Sequence, residues 1–148
     1  MRAVDLMFPE PFRGRAAVGL LLLRLHAGLA LMQHGKGKIA DPFHWMDRAP
    51  SPPPGFLQAL AALSEFGGGL ALVLGLLTPV ACFGIACTMA FATYTHVAKG
   101  DPFVGRSGSF EPALGYLVTA VLLALAGPGA YSLDAPLGAK LRARGAAP

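Results

Sequence analysis

The sequence predicts an all-α integral membrane protein, a four-helix bundle that runs up-down-up-down within a single domain of residues 1–148. Mean hydropathy is +0.54. Only 14% of the residues are charged, against about 25% in an ordinary soluble domain. Apolar runs at 16–32, 56–77 and 80–97 each reach the roughly 17–25 residues that a spanning helix needs. The bilayer is therefore the expected solvent.

The first span is predicted at about residues 16–33, preceded by a basic arm, 1–15, that we expect to lie in the membrane interface. A basic segment before an apolar run also begins a secretory signal. This run, however, contains Arg24 and His26, and no A-x-A-like cleavage site follows it. We therefore interpret it as a retained helix.

The second and third spans are predicted at about 56–77 and 80–97. Only Thr78-Pro79 separates them, so they must form a tight antiparallel hairpin, with the proline in the first turn of the third helix. Residues 34–55 before them contain five prolines beside Phe43, Trp45 and Met46. This composition predicts a long loop in the headgroup layer.

The fourth span is predicted at about 111–127, although its apolar run, 113–126, is short enough for a re-entrant segment. Tilt and local bilayer thinning accommodate such a length. A basic tail, 132–148, follows it. Four spans place both termini on one side, and the balance of basic residues, six against five, favours the cytoplasm for that side. The six are Arg2, Arg13, Arg15, Lys140, Arg142 and Arg144, and the five are Lys36, Lys38, Arg48, Lys99 and Arg106.

Two charged residues lie in the middle of apolar runs, Arg24 in the first and Glu65 in the second. Each costs about 2.5–3.5 kcal/mol at the bilayer centre, so both are expected to face the interior of the bundle. Antiparallel helices bring them to similar depth, and both lie on stripes of small residues. We predict a buried Arg24–Glu65 ion pair. It either fixes helix register, or forms the floor of a polar cavity and binds a polar head, or allows Glu65 to relay protons.

Topology places His34, His44 and His96 on the side of the long loops, near Lys38. This clustering favours a site at that mouth of the bundle. Neither haem nor a metal is expected, because the sequence lacks H-E-x-x-H, E-x-x-H and Cys-His clusters. The two cysteines are five residues apart, so they do not form a C-x-x-C redox centre.

The polar residues and glycines form patterns that resemble one family. They are Arg24 in the first span, H-G-x-x-K from His34 to Lys38, and E-x-G-G-x-x-A-L-x-x-G-x-x-T from Glu65 to Thr78. Over residues 20–126 the chain resembles the DoxX family of small four-helix membrane proteins. The resemblance implies a redox-linked role, because namesakes are similar to the membrane subunit of a thiosulfate:quinone oxidoreductase.

The wider fold is similar to the cores of vitamin K epoxide reductases and of the methylamine utilisation membrane protein. The reductases work through a C-x-x-C that is missing here, so dithiol–disulfide chemistry is not expected of this chain alone. Carried over by position, the resemblance marks Arg24, His34, Lys38 and Glu65, with His96 a looser match.

Our leading hypothesis is a redox-associated subunit that binds a quinone between the helices. Glu65, Arg24 and His96 are its catalytic candidates, and His34 and Lys38 complete the ligand-binding set. If it is an enzyme, it acts within a quinone-linked oxidoreductase complex. The alternatives are a non-catalytic anchor for a soluble redox enzyme and a small transporter.

The expected location is the bacterial inner membrane. Membrane lipid is an expected partner of such a chain, and a soluble redox protein, a second membrane subunit or a second copy of the chain are candidates. Nucleic acid is not, because the basic residues lie mostly at the ends and in the loops.

Overall fold

The computed structural model describes residues 3–106 and 108–145, apart from the side chains of Ala3 and Leu6. The described residues form a helical membrane bundle, as predicted. Three helices, α2, α3 and α4, are long and apolar enough to cross a bilayer, and α5 is a shorter apolar helix. The helices are α1 (Ala3–Met7), α2 (Gly14–Ala40), α3 (Gly55–Leu74), α4 (Thr78–Ala98), α5 (Glu111–Ala126) and α6 (Asp134–Arg144).

Helix α2 is longer than the sequence predicts, and this corrects the first connection. The predicted span ended at 33 and the predicted loop covered 34–55, but α2 continues to Ala40 and the connection is 41–54. Gly35 shows why the helix continues. A Cβ there would lie 2.6 Å from the backbone nitrogen of Phe66, so α3 packs directly on the α2 backbone. This packing outweighs the poor intrinsic helix propensity of glycine.

The small-residue faces of α2 and α3 pack together as predicted. A Cβ on Gly28 would lie 2.6 Å from the carbonyl oxygen of Gly69, and a Cβ on Gly69 would lie 2.7 Å from that of Gly28. Such close approach favours dispersion contacts, which drive helix association in lipid. The buried residues are Ala17, Leu20, Arg24, Ala27, Gly28, Leu31 and Gly35 on α2, and Gln58, Ala62, Glu65, Gly68, Gly69 and Leu72 on α3.

The turn between α3 and α4 is held by a residue far along the chain. Both oxygens of the buried Asp134 carboxylate accept backbone hydrogen bonds, from Leu77 at 2.7 Å and from Thr78 at 2.8 Å. Asp134 therefore caps the N-terminus of α4 and supplies negative charge where the helix dipole favours it. The predicted basic tail, 132–148, thus contains the docked helix α6, and its residues 146–148 lie outside the described part.

The N-terminal arm packs on α6. Arg142 Nη1 donates to the carbonyl of Phe8 at 2.7 Å, and Ala130 donates its backbone N–H to the carbonyl of Phe12 at 3.0 Å. Phe8 itself is buried. Both ends of the described chain therefore lie at the α3–α4 turn, on one side, as predicted. Arg2 and the side chain of Leu6, which belong to the predicted arm, lie outside the description.

Helix α5 runs between the two ends of the bundle. It begins beside the segment that follows α4, where Glu111 donates its N–H to the carbonyl of Phe103, and it leads back towards the turn capped by Asp134. Its 16 residues rise about 24 Å, somewhat less than a hydrocarbon core of about 30 Å. The fourth membrane crossing stays a prediction.

The C-cap of α3 leads to a first testable prediction. Gly75 has φ +62°, and a Cβ there would overlap the guanidinium of Arg24. We expect Gly75→Ala to reduce the free energy of unfolding by about 2 kcal/mol, because the left-handed conformation alone costs a non-glycine residue about 1–2 kcal/mol. The apparent Tm in detergent measures the loss.

Gly19→Ala is the matched control, because a Cβ at Gly19 meets nothing within 4 Å. We expect this variant to keep or slightly raise the Tm, since alanine favours the helix more than glycine does. Equal Tm values for the two variants would contradict this account of the turn.

Candidate functional site

Glu65 is a buried carboxylate whose partner is Lys38. Lys38 Nζ donates to Glu65 Oε1 at 2.6 Å, and the Glu65 side chain is 4% exposed against 26% for Lys38. The predicted ion pair between Arg24 and Glu65 is therefore wrong. The prediction aligned the midpoints of two apolar runs, whereas the glycine contacts set the register and the extension of α2 carries Lys38 to the level of Glu65.

Arg24 belongs to a separate centre at the opposite end of the bundle. Its Nη1 donates to the carbonyl of Leu72 at 3.3 Å, and its Nη2 donates to the carbonyl of Tyr131. Arg24 precedes Lys38 by fourteen residues, which is about 21 Å along a helix. It ties α2 to the end of α3 and to the segment before α6, and it does not reach Glu65.

A cavity of about 410 Å³ lies between α3 and α4, below the loop 41–54. Lys38, Glu65 and His96 all line it, so the structure brings these three predicted residues together. Its other polar lining residues are Gln58, Cys87, Thr88, Thr95 and Lys99, and its apolar lining residues include Trp45, Met46, Leu57, Leu60, Phe91 and Ala92. Glu65 lies halfway along α3, so the cavity reaches to mid-depth.

One side of the cavity faces the lipid. Leu57 and Leu60 on α3 and Phe91 on α4 line it, and all three are exposed on the outer surface of the bundle. A groove between two apolar helices with such walls gives an amphipathic molecule a route from the bilayer to Glu65.

Within the described residues, the second carboxylate oxygen of Glu65, Oε2, is buried and has no hydrogen-bond partner. Arg24 Nε and Thr78 Oγ1 are likewise unpaired, but of the three residues only Glu65 lines this cavity. Buried polar atoms are nearly always satisfied in native proteins, because leaving one unpaired costs about 1–3 kcal/mol, and more if it is charged. The carboxylate thus presents a free acceptor in the wall of the cavity.

Gln58 holds the loop over the mouth of the cavity. This buried side chain accepts from the backbone N–H of Met46 at 2.7 Å and donates to Asp47 at 2.9 Å and to the carbonyl of Pro53 at 3.0 Å. Its own backbone carbonyl accepts from Trp45 Nε1 at 2.9 Å. The loop is therefore fixed to α3, above the ion pair.

Trp45 connects this loop to the ion pair. Lys38 Nζ lies 4.5 Å from the centroid of the indole ring, a distance that allows a cation–π interaction. The ammonium is thus held between the carboxylate of Glu65 and an aromatic face. This arrangement leaves Lys38 with N–H donors available to a third partner.

His96 stands at the mouth of the same cavity. Its Nδ1 lies 2.6 Å from Oδ2 of Asp101, and both residues are half-buried. A carboxylate only accepts hydrogen bonds, so Nδ1 carries the proton and Nε2 remains for a ligand or for proton exchange.

Two predicted mouth histidines lie elsewhere. The His34 ring packs edge-on against Tyr116 of α5, with centroids 5.8 Å apart, and His34 is exposed and does not line the cavity. His44 is exposed in the loop, where the hydrogen bond and charge of Asp41 raise its pKa. The predicted ligand set is therefore divided, because Arg24 and His34 lie away from Lys38, Glu65 and His96.

Sequence reasoning missed Gln58 and Trp45 as site residues. Gln58 had a signal, because a polar amide on the small-residue stripe of Glu65 should face the interior and need partners. Trp45 had none, because its place depends on a hydrogen bond to the Gln58 carbonyl that only the folded loop forms.

Comparison with known proteins agrees with this architecture. The DoxX family model matches residues 19–98, a range that contains all five predicted site residues. The chain is 34% identical over 129 residues to the inner membrane protein YqjF of Escherichia coli strain K12, with 83% of this chain and 95% of that protein covered. No solved structure shows significant similarity to the chain. The chain belongs to the DoxX family of membrane proteins.

Proposed function

We propose that this protein is a redox-associated membrane subunit that binds a quinone or a similar amphipathic molecule in the cavity between α3 and α4. The polar head lies at the Lys38–Glu65 pair, and the apolar tail leaves the bundle past Leu60 and Phe91. A volume of about 410 Å³ lies within the roughly 300–1,000 Å³ of small-molecule sites, and the mostly apolar lining with few polar groups is typical of them.

The buried Glu65 carboxylate with its free Oε2 carries the proposal. An ion pair that only fixed helix register would be most stable with all its polar atoms satisfied. Here one oxygen is committed to Lys38, and the other remains available in the wall of a cavity. A ligand head that hydrogen-bonds to this pair would remove an unfavourable buried acceptor.

Each residue of the site has a physical task. Lys38 offers N–H donors and a positive charge to the head, and Trp45 forms an aromatic wall beside it. Gln58 holds the loop against α3, and the low exposure of Glu65 strengthens its electrostatic interactions. His96, oriented by Asp101, can exchange protons between the cavity mouth and the aqueous side. A bound quinone would supply the electron and proton acceptor, and its electrons would come from a partner protein.

The inner-membrane relative supports the bacterial inner membrane as the location of this chain. We propose that both termini are cytoplasmic. Lys38 counted towards the opposite side in the basic balance, but it lies inside the bundle as the partner of Glu65. Without Lys38, the basic residues number six on the side of the termini and four on the opposite side, which strengthens the preference for cytoplasmic termini.

Binding of a short-chain quinone tests the proposed function. Trp45 is the only tryptophan of the chain, and it lines the cavity. We expect decylubiquinone to quench its fluorescence saturably in nanodiscs, because the ring would bind beside the indole. Ala61→Leu fills the cavity and should raise the midpoint of the titration at least about tenfold.

Ala90→Leu is the matched control, because Ala90 is exposed on α4 and does not line the cavity. It should titrate as the wild type does. Both variants must keep the wild-type Tm for the comparison to hold. Quenching that is linear in quinone, or equal in the two variants, would refute binding in this cavity.

Reporter fusions test the orientation. We expect alkaline phosphatase to be active when fused after Gly100, in the connection between α4 and α5, and inactive when fused after Arg144. Green fluorescent protein should give the opposite result, fluorescing only after Arg144. A phosphatase active at both positions would contradict four crossings, and a reversed pattern would contradict cytoplasmic termini.

A further inference from the structure

We infer that the cavity prefers the reduced, hydroxyl-bearing form of its ligand, a quinol, over the oxidised quinone. This inference rests on the proposed function. It adds which oxidation state of the ligand head Glu65 recognises, the one whose oxygens can donate hydrogen bonds. It follows from the number and type of hydrogen-bonding atoms at the cavity wall.

The first step concerns Glu65. Its Oε1 is occupied by the Lys38 ammonium at 2.6 Å, and paired in this way the side chain is a carboxylate. A carboxylate has no proton to donate and can only accept. Oε2 is buried and free of partners among the described atoms, so the missing partner is a hydrogen-bond donor.

The second step concerns the ligand. The ring oxygens of a quinone are carbonyls, which only accept, and placing one against Oε2 would oppose two acceptors in a low-dielectric site. The ring oxygens of a quinol are hydroxyls, which donate as well as accept. One hydroxyl can donate to Glu65 Oε2 while its oxygen accepts from Lys38, so a single group satisfies both members of the ion pair.

The third step concerns the surroundings. The nearby polar side chains at this depth are already committed, since the Ser64 and Thr88 hydroxyls lie 2.6 Å apart and bond to each other. Gln58, which lines the same cavity, uses its amide group to hold the loop. Among the described residues that line this depth of the cavity, none donates to Oε2: Lys38 donates to Oε1 instead, and the Cys87 thiol forms no hydrogen bond to Glu65. We therefore assign this donor to the ligand.

The test compares three probes on the full-length wild type in nanodiscs under anaerobic conditions. The midpoint of each titration is read from Trp45 fluorescence and given as moles of probe per mole of lipid. The probes are decylubiquinol, decylubiquinone and the dimethyl ether of decylubiquinol, which keeps the ring and tail, adds two methyl groups and lacks the donors. We expect decylubiquinol to bind at least about tenfold more tightly than the other two, because a hydrogen bond to a buried charged group is worth at least that factor.

Glu65→Gln adds a mutational arm. Its amide carries donors of its own, so the preference for decylubiquinol should fall to less than about threefold. Should this variant fail to fold, the ether comparison on the wild type decides by itself.

The outcomes separate the two claims. Equal midpoints for quinol and quinone, or tighter binding of the quinone or the ether, would overturn this inference and leave the proposed function standing. Saturable binding of none of the three probes would overturn the proposed function, and this inference with it. Quinol preference that is unchanged in a folded Glu65→Gln protein would show that Glu65 is not the acceptor.

Discussion

The ion pair between Lys38 and Glu65 is the interaction around which the loop end of the bundle is organised. Lys38 reaches Glu65 only because α2 remains helical to Ala40 and because glycines let α2 and α3 approach closely enough to fix their register. The loop after α2 then folds back over the pair, where Gln58 fastens it and Trp45 lies beside the ammonium. A charge that would be costly in lipid is thereby paired inside the bundle, in a partly polar cavity.

The opposite end of the bundle is organised around a second buried charge that serves the fold. Arg24 donates hydrogen bonds to the carbonyl groups of Leu72 and Tyr131, and Asp134 caps the α4 N-terminus close by. Gly75 makes room for the guanidinium. Apart from His34, which packs against Tyr116 of α5, the polar positions by which the chain resembles the DoxX family thus divide into two centres. One centre holds the helix ends together, and the other lines a cavity. The arginine and the glutamate that mark the same family therefore need not form one site.

The faces of the helices could be predicted from the sequence, but their register could not. Periodicity places Gly28 and Glu65 on small-residue stripes, and both stripes are buried. Sliding one helix along the other by two turns keeps these stripes in contact, so only the individual glycine contacts decide which residues meet. The hydropathy pattern predicted too early an end for α2, because the helix continues beyond the apolar run and still packs on α3 there. The role of Asp134 lies beyond any local pattern, because it caps a helix 56 residues earlier in the chain.

The central claim is that the cavity beside Glu65 holds an amphipathic ligand in the living membrane. It is tested most directly by mass spectrometry of the small molecules that co-purify with the protein from its native membranes, compared among the wild type, Ala61→Leu and Ala90→Leu. The account predicts that a molecule with a quinone-type head is enriched over its proportion in the membrane, is depleted in Ala61→Leu and is retained in Ala90→Leu. Recovery of such molecules in bulk membrane proportion from all three proteins would contradict it.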